Sequence, residues 1–404
     1  MKKIVIIGAG QAGASLVIKL RNIGFEGPIT LLGSEPHPPY QRPPLSKKYL
    51  LGEMALNRMY LRPESYYDKH KIYLGLGVTV DRIDRENKVI YVGKEKFFYD
   101  DLVLATGSWP RQLPEKFGGK LKKVFSMRDL ADADAIASDF VAGKHVLIIG
   151  GGYIGLEAAA IAAIRGLKVT LVEMADRILS RVAAPQTSDY FRKLHQRHGV
   201  TIKEGVGVKK LIGEGNIVCQ AELSDGTKLK IDFAIVGIGI LPAINLAKAS
   251  GLEITDGIRV NSLGQTSDPT IWAAGDCCAF PYGNTELRLE SVPNAIDQAE
   301  AVAQNILGAR IDYLPKPWFW SDQYDVKLQI AGLNTGFSDV VTRKTSNDKT
   351  VSFWYYKDKK LVAVDAMNDP RAFLVAKRLL EAGMTVPGEV VANPMTDLKT
   401  LLSN

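Results

Sequence analysis

The chain contains few of the residues that build disulfide scaffolds or metal sites. Its 404 residues include three cysteines, of which Cys277 and Cys278 are adjacent and Cys219 stands alone, and no CxxC pair occurs. The five histidines are scattered, without the spacing typical of metal ligands. These features argue against a zinc ribbon, a disulfide framework, a thioredoxin-type redox pair and any metal centre.

Long apolar runs are also lacking. No stretch approaches the roughly 18 apolar residues that a membrane-spanning helix needs. The opening run Ile4–Ile7 soon reaches a glycine, which is typical of a strand rather than of a signal peptide. We therefore expect a cytoplasmic protein that does not enter a membrane. The formal net charge is +7; without a nucleic-acid-binding motif, it indicates either solvated surface or attraction of an acidic partner.

Two glycine-rich turns stand out among the features that are present. Gly8-Ala9-Gly10-Gln11-Ala12-Gly13 follows the apolar run Lys3–Ile7, and Gly150–Gly155 follows His145–Ile149. Each turn lies between a predicted strand and a predicted helix, which is the context that a dinucleotide fingerprint requires. Glycines at these spacings permit a tight turn, approach of the backbone to a pyrophosphate, and close helix packing. The duplication predicts two Rossmann-like domains, one for a permanent flavin and one for an exchanging nicotinamide.

Each dinucleotide unit should place an acid for the ribose hydroxyls at the end of its second strand. Glu35 follows the predicted strand Ile29–Leu32, and Glu173 follows Val169–Val172. A carboxylate accepts a hydrogen bond from a 2′-hydroxyl and repels a 2′-phosphate, so Glu173 favours NADH over NADPH. The nearby Arg177 weakens this argument slightly. Either acid could instead be a solvated residue at a strand end.

Two other predicted strands end in short polar motifs that suit a flavin. Ala105-Thr106-Gly107 closes the run Leu102–Leu104, and Gly275-Asp276 closes Ile271–Ala274. A buried strand that ends in Gly-Asp places one carboxylate at the edge of the sheet, where it could accept from a ribityl hydroxyl. A Gly-Asp dipeptide alone is weak evidence for a flavin site, and it is supported here only by the two glycine-rich turns.

The remaining segments differ in composition and in their hydrophobic pattern. The five prolines of Pro36–Ser46 exclude a helix or an inner strand and predict a stiff loop. From about Lys316 onwards, Lys327–Ile330, Val351–Tyr356 and Leu361–Val364 predict antiparallel strands. A helix over Arg371–Glu381 and a short polar tail follow. We therefore predict a C-terminal α+β domain.

Several segments resemble the NADH-dependent ferredoxin reductases of oxygenase systems. The resemblance is carried by Pro39-Tyr40-Gln41-Arg42-Pro43-Pro44-Leu45-Ser46-Lys47, by GGGYIGLE over Gly150–Glu157, by Glu290–Ala295 and by Pro317–Gln323. It covers essentially the whole chain. It implies a glutathione-reductase-like α/β architecture with an FAD-binding domain over 1–108 and 241–315, an NAD-binding domain over 109–240, and the α+β domain over 316–404.

The resemblance also implies roles for single residues. Lys47 is expected near the flavin, Glu157 at the nicotinamide carboxamide and Trp320 over the site; Trp320 could instead be a core aromatic and Lys47 a surface lysine. The residues expected around FAD, from motifs and resemblance together, are Gly8, Gly10, Ala12, Gly13, Ser34, Glu35, Arg42, Lys47, Val80, Ala105, Thr106, Gly107, Arg128, Gly275, Asp276 and Val292. Those expected around NADH are Gly150, Gly152, Tyr153, Ile154, Gly155, Glu157, Glu173 and Gly239. Many relatives carry an Asp at the position of Ser34 and a second acid after it, so the choice between Ser34 and Glu35 for the adenosine ribose stays open.

The implied activity is transfer of electrons from NADH through FAD to a [2Fe-2S] ferredoxin, expected to be acidic, that serves a P450 or a Rieske-type oxygenase. The loop Ser34–Lys47 lacks cysteine, so a thiol relay to a disulfide is not expected. The alternatives are a rubredoxin reductase or NADH oxidase, or a redox-sensing flavoprotein that resembles apoptosis-inducing factor. The pattern does not indicate an oligomeric state.

Overall fold

The computed structural model describes residues 1–345 and 349–402 of the protein; residues 346–348 and 403–404 of the predicted C-terminal domain lie outside this description. The strands in chain order are β1 (Ile4–Ile7), β2 (Ile29–Leu32), β3 (Ile72–Gly75), β4 (Arg82–Asp84), β5 (Val89–Val92), β6 (Glu95–Phe98), β7 (Asp101–Leu104), β8 (Ser108–Pro110), β9 (Val124–Phe125), β10 (His145–Ile149), β11 (Lys168–Glu173), β12 (Thr201–Glu204), β13 (Val208–Glu214), β14 (Ile217–Leu223), β15 (Lys228–Lys230), β16 (Phe233–Val236), β17 (Ile240–Pro242), β18 (Ile258–Arg259), β19 (Ile271–Ala273), β20 (Cys278–Tyr282), β21 (Thr285–Leu287), β22 (Trp318–Gln323), β23 (Val326–Gly332), β24 (Asp339–Lys344), β25 (Val351–Lys357) and β26 (Lys360–Met367).

The α-helices are α1 (Gln11–Asn22), α2 (Glu64–Lys69), α3 (Leu130–Ala137), α4 (Tyr153–Ile164), α5 (Pro185–Arg197), α6 (Asn245–Ala249), α7 (Val292–Ile306), α8 (Pro370–Glu381) and α9 (Gly388–Ala392). Short 3₁₀ turns cover Leu56–Arg58, Glu115–Phe117 and Leu398–Leu402, and Leu45–Tyr49 forms a wide π-type turn. Within the described residues, no helix has the length and apolar character needed to cross a bilayer.

The chain divides into two compact units. The first comprises residues 1–42, 55–109 and 240–317, and the second comprises 43–54, 110–239 and the chain from Trp318 onwards. The three domain ranges expected from the sequence stay a prediction.

The first unit is built on a parallel sheet with the strand order β19-β7-β1-β2-β3. Both faces of this sheet are covered, as is usual for parallel sheets. On β1, Ile4 and Ile6 lie in a core cluster with residues of α1 and α7. Val5 and Ile7 lie in a second cluster with residues of the antiparallel sheet β4-β5-β6. The two-sided burial explains why the strand is a continuous apolar run.

The second unit contains another parallel sheet, with the order β12-β11-β10-β16-β9. One face of this sheet packs against the antiparallel strands β13 and β14, where Leu147 and Val172 join Leu211 and Val218 in one cluster. The same unit holds an antiparallel sheet with the order β22-β23-β26-β25-β24. Helix α8 packs on that sheet, and Trp354 and Phe373 belong to the shared core.

Two details of the sequence interpretation were wrong. The segment after α8 is not merely a polar tail, because it contains α9 and a 3₁₀ turn whose Val391, Leu398 and Leu401 are buried in the C-terminal core. The proline-rich loop ends earlier than expected, because Leu45 and Ser46 already belong to the turn that contains Lys47. In the tail, burial of apolar side chains outweighs the polar composition, and in the loop the N–H groups of Lys47 and Tyr49 donate to the Pro44 carbonyl.

A carboxylic acid is buried in the second unit between β25, β26 and α5. Asp365 is fully buried, and its Oδ2 accepts hydrogen bonds from Thr187 Oγ1, at 2.6 Å, and from the Tyr355 hydroxyl. Burial raises the pKa of Asp365 to about 6, and the two hydrogen bonds oppose this shift. An unfolded aspartate titrates near 4. The folded protein therefore binds a proton that the unfolded chain releases between about pH 4 and pH 6.

We predict that the folded state of the Asp365→Asn variant becomes more stable relative to that of wild type as the pH rises. The raised pKa contributes stability that is present below about pH 4 and is lost as the pH passes through about 6. The amide oxygen of asparagine can still accept both hydrogen bonds without carrying a charge. The unfolding free energy of the variant minus that of wild type should increase by up to about 3 kcal/mol between pH 4 and pH 8. Urea unfolding at both pH values measures it, and an unchanged difference would contradict the prediction.

Candidate functional site

The first glycine loop joins β1 to α1 and leaves one face of its backbone open. A Cβ on Gly8 would lie 2.1 Å from the Ala105 carbonyl oxygen, and one on Gly13 would lie 2.0 Å from the Gly8 carbonyl oxygen. Gly10, by contrast, would carry a Cβ that meets no atom within 4 Å. The first and third glycines therefore pack the loop, while the second leaves room beside the first turn of α1. The unpaired N–H groups of that turn favour an anion.

The parallel register brings the other predicted flavin motifs to the same edge of the sheet. Ile7 pairs with Leu104, and Leu104 pairs with Ala273, so the segments that follow β1, β7 and β19 emerge side by side. Asp276 Oδ2 accepts a hydrogen bond of 2.9 Å from Ser108 Oγ. Thr106 Oγ1 donates to the Ala243 carbonyl at 2.7 Å. The sheet edge thus presents a carboxylate beside the glycine loop, as the strand-end motifs predict.

The acid after β2 is held by a cation. The Glu35 carboxylate forms an ion pair with Arg42 and accepts a hydrogen bond from the Tyr40 hydroxyl. Ser34 is exposed. The Arg42 guanidinium lies over the Tyr40 ring, 5.2 Å from its centre. The proline-rich loop therefore returns to the strand end and fixes Glu35 there, which favours Glu35 over Ser34 as the ribose acceptor.

The other residues expected around FAD are divided between the two units. Ala12 and Val80 are buried in the first unit, and Val292 is the first residue of α7. Arg128 belongs to the second unit, where its backbone N–H donates to Asp132 Oδ2 at 2.7 Å. Their contacts with a flavin stay predictions.

The second glycine loop, between β10 and α4, repeats the packing of the first. A Cβ on Gly150 would lie 2.4 Å from the Gly237 carbonyl oxygen, and one on Gly155 would lie 2.1 Å from the Gly150 carbonyl oxygen. A Cβ on Gly152 would meet nothing within 4 Å. Tyr153 and Ile154 are the first residues of α4, so their N–H groups face this open side of the helix end.

Glu173 ends β11 beside this loop. Its Oε2 accepts a hydrogen bond of 2.7 Å from the Gly151 N–H, and its Oε1 accepts one of 2.8 Å from the Ala175 N–H. The neighbouring Arg177 donates instead to Ser188 Oγ at 2.6 Å and to the Ser180 carbonyl at 3.2 Å. The guanidinium therefore has acceptors of its own, and the Glu173 carboxylate is met by neutral backbone groups.

A buried ion pair lies one helical turn further along α4. Lys47 Nζ is 3.1 Å from Glu157 Oε1 and 3.4 Å from Asp322 Oδ2. The Glu157 side chain is 9% exposed and that of Lys47 14%. Ser46 Oγ donates to Glu157 Oε2 at 2.9 Å, and Ser321 Oγ donates to Oε1 at 2.7 Å. Burial raises the pKa of Glu157, while Lys47 and the two hydroxyls oppose this shift.

This cluster forms because the spacing of side chains along β22 matches the spacing along α4. Alternate residues of β22 point to one side of the sheet, and residues four apart on a helix share a face. Phe319 contacts Tyr153, with ring centres 4.9 Å apart, and two residues later Ser321 reaches Glu157. Two strand residues and one helical turn span similar distances, about 7 Å and 6 Å.

Trp320 lies on the opposite side of β22. It is half-buried and stacks on Trp318, with ring centres 5.6 Å apart. Trp318 packs against the C-terminal core, whereas Trp320 is not among the residues of that core cluster in the described chain. Asp322, which contacts Lys47, shares the side of Trp320. The role of Trp320 over the site stays a prediction.

Gly239 lies on a loop after β16, with a φ of 101°, and its carbonyl accepts a hydrogen bond from the Arg111 N–H at 2.9 Å. Its contact with NADH stays a prediction.

Several residues of the cluster carry no recognisable signal in the sequence. Ser46, Ser321 and Asp322 surround the ion pair, and Gln323 and His195 continue the polar contacts away from it. The sequence over Trp318–Gln323 has three aromatic residues followed by three polar ones, and this order does not show which polar side chains share a side of the strand.

The two loops fit dinucleotide cofactors. Each offers a helix N-terminus, open space beside the middle glycine, and a carboxylate at the next strand end. Across residues 1–345 and 349–402, His, Cys, Asp and Glu side chains do not gather in groups suited to a metal ion.

Comparison with known proteins identifies the family. Residues 2–299 match the model of pyridine nucleotide-disulphide oxidoreductases, and residues 318–402 match the reductase C-terminal domain. A ferredoxin–NAD(P)⁺ reductase of Sphingomonas sp. is 40% identical, with 97% of each chain covered. Rhodocoxin reductase of Rhodococcus erythropolis is also 40% identical, over 99% of this chain and 94% of its own. The crystal structure of a covalent putidaredoxin reductase–putidaredoxin complex matches with a TM-score of 0.96 and 37% identity, covering 100% of this chain and 98% of that one.

These similarities confirm the predicted fold, the oxidoreductase activity, and FAD and a nicotinamide dinucleotide as cofactors, while the roles of single residues stay predictions. The chain belongs to the pyridine nucleotide-disulphide oxidoreductase family, among its ferredoxin reductases with a reductase C-terminal domain.

Proposed function

We propose that the protein oxidises NADH and delivers the electrons to a small acidic [2Fe-2S] ferredoxin that serves a P450 or Rieske-type oxygenase. FAD, when bound, supplies the chemistry that converts a two-electron donor into a source of single electrons. The chain's own residues bind and orient the nucleotides. The observation that carries the proposal is the buried ion pair of Lys47 with Glu157, a residue of the helix α4 that begins at the Gly150 loop.

Glu157 is suited to recognise the nicotinamide carboxamide. An ionised carboxylate only accepts hydrogen bonds, and the carboxamide offers an NH₂ donor. Lys47, Ser46 and Ser321 favour the ionised form of Glu157 and fix its position. Lys47 also supplies positive charge at the proposed hydride-transfer site, where a fixed charge counts most in a buried setting.

We further propose that the protein works in the cytoplasm, because NADH is an intracellular reductant. The three cysteines are free thiols, and Cys277 and Cys278 are buried. Buried thiols of this kind contribute packing rather than redox chemistry.

We predict that Lys47→Met slows the reduction of bound FAD by NADH at least about tenfold. Methionine keeps the length of the side chain but removes its charge and leaves the buried Glu157 carboxylate without its cation. Stopped-flow absorbance of the flavin measures the rate, and Lys47→Arg, which keeps the charge, is the matched control. A Lys47→Met variant that retains FAD and the wild-type rate would contradict the role of Lys47.

We predict that kcat/KM for NADH exceeds that for NADPH at least about tenfold, or 1.4 kcal/mol. The reason is repulsion between the Glu173 carboxylate and a 2′-phosphate. Glu173→Gln removes the charge and keeps an acceptor for the loop, so it should reduce the preference mainly by improving the use of NADPH. Steady-state reduction of ferricyanide measures both nucleotides. An equal preference in wild type and variant would contradict the role of Glu173.

We predict that turnover with the ferredoxin falls steeply as salt rises. The chain carries a net charge of +7, and Arg310, Lys316 and the cluster Lys357–Lys360 are exposed. Long-range attraction to an acidic partner fades as the Debye length falls from about 10 Å at 0.1 M salt to about 3 Å at 1 M.

The control for this experiment is NADH-dependent ferricyanide reduction, which should change little over the same range of salt. A panel of ferredoxins and rubredoxins, assayed by cytochrome c reduction, identifies the acceptor class. Faster turnover with every rubredoxin than with any ferredoxin would show that the partner is a rubredoxin and not the proposed ferredoxin. Salt-independent turnover with the preferred acceptor would show that the positive charge is general surface charge.

A further inference from the structure

A chain of buried polar side chains extends from Glu157 into the interior of the second unit. Ser321, Gln323 and His195 are each fully buried. Gln323 Nε2 donates to Ser321 Oγ at 3.2 Å, and Gln323 Oε1 is 2.8 Å from His195 Nε2. His195 Nδ1 is 3.2 Å from the Tyr324 hydroxyl. The outer end is partly exposed, where the Tyr324 ring stacks on His198 at 3.7 Å.

With Glu157 ionised, as its contact with Lys47 favours, the direction of every hydrogen bond in this chain follows. An ionised Glu157 only accepts, so the Ser321 hydroxyl donates to it and its oxygen must accept a hydrogen bond from the other neighbour. Gln323 therefore turns its NH₂ to Ser321 and its oxygen to His195. His195 must then carry its proton on Nε2, which leaves Nδ1 as the acceptor for the Tyr324 hydroxyl. All the donors point towards Glu157, and aligned hydrogen bonds of this kind strengthen one another.

We propose that His195 is a positioning residue that acts through Gln323 and Ser321 to keep Glu157 ionised and aimed as the acceptor for the nicotinamide carboxamide. The last step rests on the proposed role of Glu157. His195 itself does not touch the nucleotide in this scheme. Its contribution is a fixed neutral tautomer, whose Nε2–H orients the Gln323 amide and so the Ser321 hydroxyl.

The surroundings of the chain are consistent with a neutral imidazole. Burial lowers the pKa of His195 to about 4, with a smaller effect of His198 in the same direction, while the Gln323 hydrogen bond opposes them. The charged group that faces Glu157 is Lys47, which also faces Asp322. Asp325 acts on His198 at the outer end. His195 therefore stays uncharged over the pH range in which the enzyme would be assayed.

The test compares two variants of matched length in the FAD-loaded enzyme. His195→Gln places an amide NH₂ donor where Nε2–H lies, whereas His195→Met has the same reach without a donor. Ser321→Ala and Ser321→Thr form a second pair, in which only threonine keeps the hydroxyl. Retained FAD and unchanged thermal unfolding show which variants are folded. If His195→Met does not fold, the imidazole tautomer of His195 in the wild-type enzyme decides.

Two measurements other than turnover report on the proposal. The infrared carboxyl band that is lost in Glu157→Gln gives the protonation midpoint of Glu157, and calorimetry gives the affinity for NAD⁺ as a function of pH. His195→Met and Ser321→Ala should raise the midpoint by about one pH unit, because hydrogen bonds to the charged form favour it. They should also weaken NAD⁺ binding at least threefold near the wild-type midpoint, while His195→Gln and Ser321→Thr behave like wild type.

The proposal is overturned if either His195→Met or Ser321→Ala leaves the midpoint unchanged, or if His195→Gln shifts it as far as His195→Met does. Long-range ¹H–¹⁵N spectra of the imidazoles give an independent check, since a proton on Nδ1 of His195 would reverse the chain and refute it. A shifted midpoint together with unchanged NAD⁺ affinity in Glu157→Gln would support the hydrogen-bond chain and instead reject the role of Glu157 in nucleotide binding.

Discussion

The charge of Glu157 is the constraint on which the second unit is organised. A carboxylate removed from water costs several kcal/mol unless a cation and hydrogen bonds compensate it. Here the compensation comes from separate parts of the sequence, because Lys47 and Ser46 belong to the π-type turn and Ser321 to β22. These segments must pack on α4 in register for the charge to be tolerated. The glycine loop at the start of the same helix is therefore held in a fixed relation to the ion pair, which is what a site that orients one nucleotide requires.

Much of the fold could be predicted because local sequence and buried structure agree. The strands Ile29–Leu32 and His145–Ile149 have the predicted bounds, since a parallel strand covered on both faces is a simple apolar run that ends at a turn. The glycine loops were equally predictable, because close backbone contacts at Gly8 and Gly150 leave no room for a side chain and so require glycine. The tail was misjudged, because the burial of Leu398 and Leu401 depends on a core built by distant strands.

The candidate site was predictable only in part. Lys47, Glu157 and Trp320 came from the resemblance to a family, and their arrangement needed the structure. His195 shows why: it meets Gln323 across 128 positions of the chain, and a single histidine on an amphipathic helix carries no local signal of such a partner. Ser321 and Gln323 share one side of β22, as the repeat of a strand requires, but that repeat does not identify the helix that faces them.

The two dinucleotide units use the same loop and strand geometry but treat the acid at the strand end differently. Glu35 is paired with Arg42, so its negative charge is compensated by a cation. Glu173 meets the backbone N–H groups of Gly151 and Ala175, which orient the carboxylate without cancelling its charge. Repulsion of a 2′-phosphate is useful only where nucleotides exchange and NADPH competes with NADH. A permanently held cofactor needs an oriented acceptor but no discrimination. On the roles proposed for Glu35 and Glu173, the difference between the two acids follows the difference between a resident and an exchanging nucleotide, although the two glycine loops are alike in sequence.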